Sequence, residues 1–104
     1  MVLMAKNYKR ESDYQADLIK TIKKRFPDSI VMKNDAKYIQ GIPDLCVVHG
    51  KRWAMLEVKK SKDEPHQPNQ DFYVGKAKEW SFGAFIFPEN EEEILNGMEE
   101  LFED

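Results

Sequence analysis

Gly41-Ile42-Pro43-Asp44-Leu45-Cys46-Val47-Val48-His49-Gly50-Lys51-Arg52-Trp53-Ala54-Met55-Leu56-Glu57-Val58-Lys59 is the stretch whose reading decides the fold. Gly41-Ile42-Pro43 breaks the chain before a short apolar run, Leu45–Val48. His49-Gly50-Lys51 is a turn signal, and Arg52–Lys59 is a second strand-like run, so the two runs form a hairpin. By period-two alternation, Trp53, Met55, Glu57 and Lys59 share one face of the second strand, and Ala54, Leu56 and Val58 share the other. Asp44 lies six residues before Gly50 and Glu57 seven after it. In a hairpin centred on that turn, Asp44 therefore comes close to Glu57 and Lys59, with the register open by a residue or two.

Working outward, Tyr14, Leu18, Ile22 and Phe26 recur every four residues and predict a helix that begins at Glu11 or Ser12 and ends at Pro27-Asp28. Lys20, Lys23, Lys24 and Arg25 crowd its carboxyl end, where the helix dipole favours cations. Ser29–Met32 reads as a short strand and Lys33–Gln40 as a polar loop. After the hairpin, residues 60–69 carry Pro65 and Pro68 and read as a loop. Gln70–Trp80 reads as a helix and Ala84–Phe87 as a buried strand, closed by Pro88. A last helix, capped by Asn90, carries Ile94, Leu95, Met98, Leu101 and Phe102 on its apolar face. The order is helix, three strands, helix, strand, helix: an α/β arrangement, αβββαβα, with a central mixed sheet flanked by helices. Residues 1–10, with Lys6, Lys9 and Arg10, read as a basic arm, and residues 11–104 as one domain with an acidic last helix.

Composition narrows the class. The chain has 104 residues, 41% of them hydrophobic and 34% charged, a balance that suits one water-soluble domain. No apolar run reaches the ~20 residues of a membrane span, and the N-terminus is charged too early for a signal peptide. Cys46 is the only cysteine, so an internal disulfide and a Cys-rich zinc site are excluded. The expected location is cytoplasmic. The net charge is −3, but eight acidic residues and no Lys or Arg lie between Glu89 and Asp104. Setting these aside leaves residues 1–88 with 16 basic against 11 acidic side chains. That asymmetry is compatible with a nucleic-acid surface with the acid directed elsewhere, but so modest an excess is better suited to ordinary solvated faces.

Asp44, Glu57 and Lys59 gather two carboxylates and an ammonium in one small volume. Carboxylates so placed repel one another unless a cation lies between them. Hard oxygen donors in this number suit Mg²⁺ or Mn²⁺, and the Val58 carbonyl is a plausible extra ligand. Such a site can polarise a phosphodiester and acidify a bound water, with Lys59 positioning that water and stabilising charge on phosphorus. Taken singly, Asp44 also suits a plain turn, and Glu57 with Lys59 a solvated strand edge. Together, on paired strands, they favour a built site.

Pro43-Asp44, twelve intervening residues, and Glu57-Val58-Lys59 resemble the PD-(D/E)xK motif of the restriction-endonuclease-like nucleases. The element order over residues 11–102 resembles the small VRR-NUC branch, which includes stand-alone phage and bacterial proteins similar to Holliday-junction resolvases. The resemblance implies a metal-dependent DNA endonuclease selective for branched DNA, acting as a homodimer, and a host-cytoplasmic location if phage-encoded. It also implies that Glu11 is an additional metal ligand with Gln15 beside it, although a carboxylate there equally suits the positive end of the helix dipole. Gln70 is implied to orient Lys59 or meet a phosphate, with Gln67 as its competitor and Tyr73 as the weaker transfer. Lys33, Lys37, Lys60 and Lys62 flank the site and could hold DNA phosphates. His66 reads as a solvated loop residue, with a substrate contact as the alternative, and His49 is too far along the hairpin to join the site. A DNA-binding or assembly module without catalysis, and a sugar- or nucleotide-phosphate hydrolase, are the competing functions.

Overall fold

A computed structural model describes residues 7–103. Tyr14, Leu18 and Ile22 lie buried along one side of helix α1 (Glu11–Arg25). The fourfold spacing of the sequence therefore builds the expected apolar stripe. The helix starts one residue earlier than Ser12, and its N-cap is Arg10, whose side chain makes no cap. Instead the Arg10 guanidinium pairs with Asp13 at 3.0 Å. Pro27 follows the C-cap Phe26, whose N–H still reaches the Ile22 carbonyl at 2.8 Å. Residues 1–6 of the expected basic arm lie outside the described residues. Its last part is not separate from the domain: Tyr8 packs on Tyr14, ring centroids 5.1 Å apart, and its hydroxyl donates to Asp17 at 2.8 Å.

Four strands follow the expected order: β1 (Ile30–Lys33), β2 (Leu45–His49), β3 (Arg52–Val58) and β4 (Phe82–Ile86). They form one sheet in the order β1-β2-β3-β4. The first two pairings are antiparallel, and β4 lies parallel to β3 after a crossover through helix α2 (Pro68–Trp80). The β2–β3 turn has two residues, Gly50 and Lys51, between the paired His49 and Arg52. Gly50 takes a positive φ of +61, as the first position of a tight hairpin turn favours. That turn locks the register Leu45↔Leu56, and continuing it by one residue sets Asp44 opposite Glu57. The freedom of a residue or two in the hairpin count closes to zero.

Several element boundaries differ from the sequence reading: β1 runs Ile30–Lys33, not Ser29–Met32, and β3 ends at Val58, not Lys59. Helix α2 starts at Pro68, not Gln70, because Pro68 occupies the first helical turn, where a missing N–H costs nothing. Gln67 caps it: its side chain accepts the Gln70 N–H, and the Gln70 side chain accepts the Gln67 N–H in return. Strand β4 begins at Phe82, two residues early, since pairing with Ala54 already starts there. Asn90 precedes helix α3 (Glu91–Glu103), but its side chain ties down the β4–α3 turn, with Oδ1 accepting the Phe87 N–H and the amide donating to the Phe85 carbonyl.

The core lies on one side of the sheet. Leu45, Val47, Ala54, Leu56, Val58 and Ile86 pack there against Tyr14, Leu18 and Ile22 of α1 and Leu95, Met98 and Phe102 of α3. Each large aliphatic side chain so enclosed stabilises the fold by roughly 1.5–3 kcal/mol. Helix α3 packs on its own chain, and Arg25 joins its acidic side by reaching Glu92 at 3.7 Å, Glu99 at 3.6 Å and Asn96 at 2.5 Å. The opposite face of the sheet is covered only in part, by α2. No helix among the described residues is long and apolar enough to cross a membrane.

Candidate metal centre and active site

Asp44 enters the site from the end of the 34–44 loop. Two anchors hold it: the Asn34 N–H donates to the Asp44 carbonyl at 2.9 Å, and the Asn34 amide donates to the Pro43 carbonyl at 2.9 Å. Gly41 makes that approach possible. Its φ is +89, and a Cβ there would collide with Cβ of Asn69 in the first turn of α2. Asp44 Oδ2 then accepts the Val58 N–H at 2.8 Å, standing in for the ladder partner that β2 no longer supplies.

Glu57 and Lys59 are the only buried charged side chains among the described residues, at 5% and 6% exposure. Burying such groups is costly unless each is hydrogen-bonded, and here both are. Lys59 Nζ donates to the Pro65 carbonyl and to Gln70 Oε1, each at 3.0 Å. The Gln70 amide donates in turn to Glu57 Oε2 at 3.0 Å. One Gln side chain thus bridges the buried ammonium and the buried carboxylate. No buried side-chain nitrogen or oxygen among the described residues lacks a partner.

Asp44 and Glu57 are hydrogen-bonded through their carboxyl groups. Burial pushes the Glu57 carboxyl up to about 8, and the nearby Asp44 charge pushes in the same direction against the pull of Lys59. Burial also raises Asp44, opposed by the Val58 N–H, by the Glu57 carboxyl and by Lys59. Both carboxyls are thus shifted toward their protonated forms.

Among the described residues, no three His, Cys, Asp or Glu side chains gather as a metal cluster. The donor set is smaller, two carboxylates with a backbone carbonyl. The N–H and C=O of one strand residue point to the same edge, and the Val58 N–H meets Asp44, so the Val58 carbonyl is aimed past the end of β2 on the Asp44 side. A Mg²⁺ ion commonly keeps several waters and takes only one or two protein carboxylates, so this set suffices for it. The carboxyl groups of Asp44 and Glu57 are the donors a hard divalent cation could use here.

Glu11 lies at the amino end of α1, with its Oε2 on the Lys60 N–H at 3.4 Å. It borders the site two residues beyond the Val58 N–H that Asp44 holds. Gln15, one turn on, is half-buried. Gln67 serves as the helix cap, and Gln70 alone of the two contacts Lys59 and Glu57. Tyr73 stands apart, lining a cavity of about 370 Å³ with Trp53, Met55 and Trp80. Of the lysines, Lys33 and Lys37 are exposed on the β1 side. The Lys60 ammonium is engaged by the Lys9 carbonyl at 3.3 Å and by Glu64 at 3.4 Å. Lys62 is exposed, and its N–H faces Glu89 at 3.4 Å. His49 stacks on Phe102, ring centroids 5.2 Å apart, away from the carboxylates.

His66 is an exposed loop residue, as expected, and it also lies flat on Phe85, with centroids 3.6 Å apart and planes 9° from parallel. Its Nδ1 is 3.1 Å from Asp71. No signal in the sequence pairs His66 with Phe85, nineteen positions away, because only the parallel β3–β4 pairing brings that strand beside the loop.

No family model, no curated protein and no solved structure matches the chain.

Proposed function

We propose that this protein is a Mg²⁺- or Mn²⁺-dependent DNA endonuclease of the PD-(D/E)xK, restriction-endonuclease-like type, resembling the VRR-NUC branch. The observation that carries the reading is the chain of contacts Asp44–Glu57–Gln70–Lys59. An ordinary strand end has no use for a buried carboxyl hydrogen-bonded to a neighbouring carboxyl beside a buried ammonium. Asp44, Glu57 and the Val58 carbonyl would hold the metal, with Glu11 at the margin. When bound, the ion would supply Lewis-acid polarisation of the phosphodiester and a more acidic water.

The chain's own residues do the rest. Lys59 has three N–H donors, two of them taken by Pro65 and Gln70, which leaves one for a phosphate oxygen or for the attacking water. Gln70 fixes the ammonium in place, so the donor needs no reorganisation when charge develops on phosphorus. Lys33, Lys37, Lys60, Lys62 and Gln15 would contact the DNA around the site. Selective cutting of branched DNA would require two such sites and hence a homodimer. The incompletely covered side of the sheet supports that form, because it leaves Ile30 at 62%, Met32 at 44% and Trp80 at 69% exposure.

The test is nicking of four-way junction, flap, duplex and single-stranded DNA with Mg²⁺, Mn²⁺ or EDTA, alongside light scattering for mass. Wild type cuts with metal and not with EDTA, and Asp44→Ala and Lys59→Ala do not cut. Mutants that cut as well as wild type overturn the site. A wild type that binds DNA but cuts none of these substrates favours a non-catalytic binding module.

A further inference from the structure

The 60–67 loop is fastened to the site at two points on either side of one exposed residue. The Pro65 carbonyl accepts from Lys59 Nζ, and the Gln67 N–H donates to Gln70 Oε1, each at 3.0 Å. His66 stands between them. Below it is Phe85, the register partner of Glu57 across β3 and β4. Partnered residues on neighbouring strands project from the same face, so the Phe85 ring lies beside the Glu57 carboxyl and His66 covers that ring. Asp71, from the first turn of α2, is at 3.1 Å from Nδ1. When Asp71 accepts the Nδ1 proton, Nε2 is the ring nitrogen left for another partner, and in the imidazolium form it is a second N–H donor that a phosphate oxygen can accept from. The imidazole is thus held in position and in plane by three elements, yet its side chain remains 36% exposed.

We infer that His66 is a substrate-contacting residue, its Nε2 meeting a backbone phosphate of the nucleic acid next to the one attacked at Asp44 and Glu57. This rests on the nuclease reading. A histidine needed only to fill space over Phe85 would have no reason to be oriented by a carboxylate. A histidine needed only for a loop hydrogen bond would have no reason to lie 3.6 Å over a ring beside the candidate metal ligands. The arrangement fixes the direction of one polar atom at the mouth of the site, which is what recognition of a phosphate oxygen requires.

The experiment compares wild type with His66→Phe, His66→Ala and Asp71→Asn. It measures steady-state cleavage in Mg²⁺ or Mn²⁺, DNA affinity by fluorescence anisotropy in Ca²⁺, and thermal stability. His66→Phe keeps a ring on Phe85 and removes the nitrogen. It is expected to melt with wild type, to raise KM and the DNA Kd roughly tenfold, and to leave kcat nearly unchanged, as loss of a contact made equally in ground and transition states does. Asp71→Asn, which keeps the ring but loosens its orientation, falls between. If His66→Phe cuts and binds like wild type while only His66→Ala is impaired, the ring is a prop and the inference is overturned with the nuclease intact. If wild type binds DNA without cutting and His66→Phe binds tenfold more weakly, the nuclease reading fails and the contact stands. If wild type neither binds nor cuts, both are overturned.

Discussion

Strand β3 has two faces built for different ends. On one, Ala54, Leu56 and Val58 are at most 1% exposed, sealed by α1 and α3. On the other, Trp53 and Met55 are half-buried beside a cavity, and the strand runs out into the buried Glu57 and Lys59. The first face resembles any close-packed interior. The second keeps two costly charged groups at low exposure and satisfies them with Gln70, Pro65 and Asp44. Adjacent residues of one strand thus divide the work: the even positions hold the domain together, and the odd positions run from a cavity wall to the buried charges.

The division is broken most directly by one substitution from each face. Lys59→Ala is expected to lower DNA cleavage by about 10²–10³-fold or more, the effect of losing a donor aimed at developing charge, with a melting temperature near that of wild type. Leu56→Ala, one side chain of the sealed face, is expected to cost about 2–5 kcal/mol of stability. Cleavage by its folded fraction should stay close to normal. Chemical denaturation and single-turnover cleavage on both proteins decide the matter. If Leu56→Ala loses activity while fully folded, or Lys59→Ala unfolds, the two faces are not separable.

Much of this division was legible in the sequence. The alternation of Trp53 to Lys59 assigns every residue of β3 to its face, and the count around Gly50 brings Asp44 to Glu57, because a two-residue turn leaves little freedom in register. The helix α1 stripe follows from the fourfold spacing of Tyr14, Leu18 and Ile22. What escaped the reading depends on contacts between distant segments. Pro68 and Gln67 look like loop until the helix they start is known, so the Gln67–Gln70 reciprocal cap was hidden, although the resemblance had already set Gln70 against Lys59. Glu11 could be placed at a helix start, but not against the Lys60 N–H, since no local rule sets α1 relative to the end of β3. The partial cover of the second face is likewise a matter of how far α2 reaches, which periodicity does not report.

A pH titration sharpens the comparison at the carboxyl pair. The Glu57 carboxyl is held near 8 in the folded protein against an ordinary value of 4.5. Between those values the folded state binds more protons than the unfolded state, so metal-free stability is greatest below about pH 4.5 as far as this group is concerned and declines toward pH 8. Stability from thermal melts in EDTA is expected to fall across that window by more than about 1 kcal/mol, since a tenfold difference in proton affinity is worth about 1.4 kcal/mol. Glu57→Gln, which cannot ionise, should flatten that decline. Mg²⁺ or Mn²⁺ competes with the same proton, so the stabilisation either metal gives wild type should grow as pH rises and vanish in Glu57→Gln. A metal effect that is independent of pH, or that survives Glu57→Gln, would remove Glu57 from the centre.

The smallest expected effect falls on Gln70, which touches both buried charges but would not hold the metal. Gln70→Ala removes an acceptor from Lys59 and a donor from Glu57, and it also removes half of the reciprocal cap at the start of α2. Losing the cap costs roughly 0.5–2 kcal/mol. Freeing the Lys59 ammonium should lower kcat by about tenfold, well short of deleting Lys59, because the donor is still present but no longer held in one direction. Gln70→Glu separates the two roles. It retains an acceptor for Lys59 and for the Gln67 N–H, yet sets a third carboxylate against Glu57 and takes away the donor to Oε2. Its melting temperature should therefore recover at acidic pH, where the added carboxyl is protonated, and fall at alkaline pH in EDTA. Metal should offset the alkaline loss if the three carboxylates face one cation. If Gln70→Glu behaves like Gln70→Ala at every pH, with and without metal, Gln70 acts as a helix cap alone, and the bridge between the buried charges contributes nothing to the second face of β3.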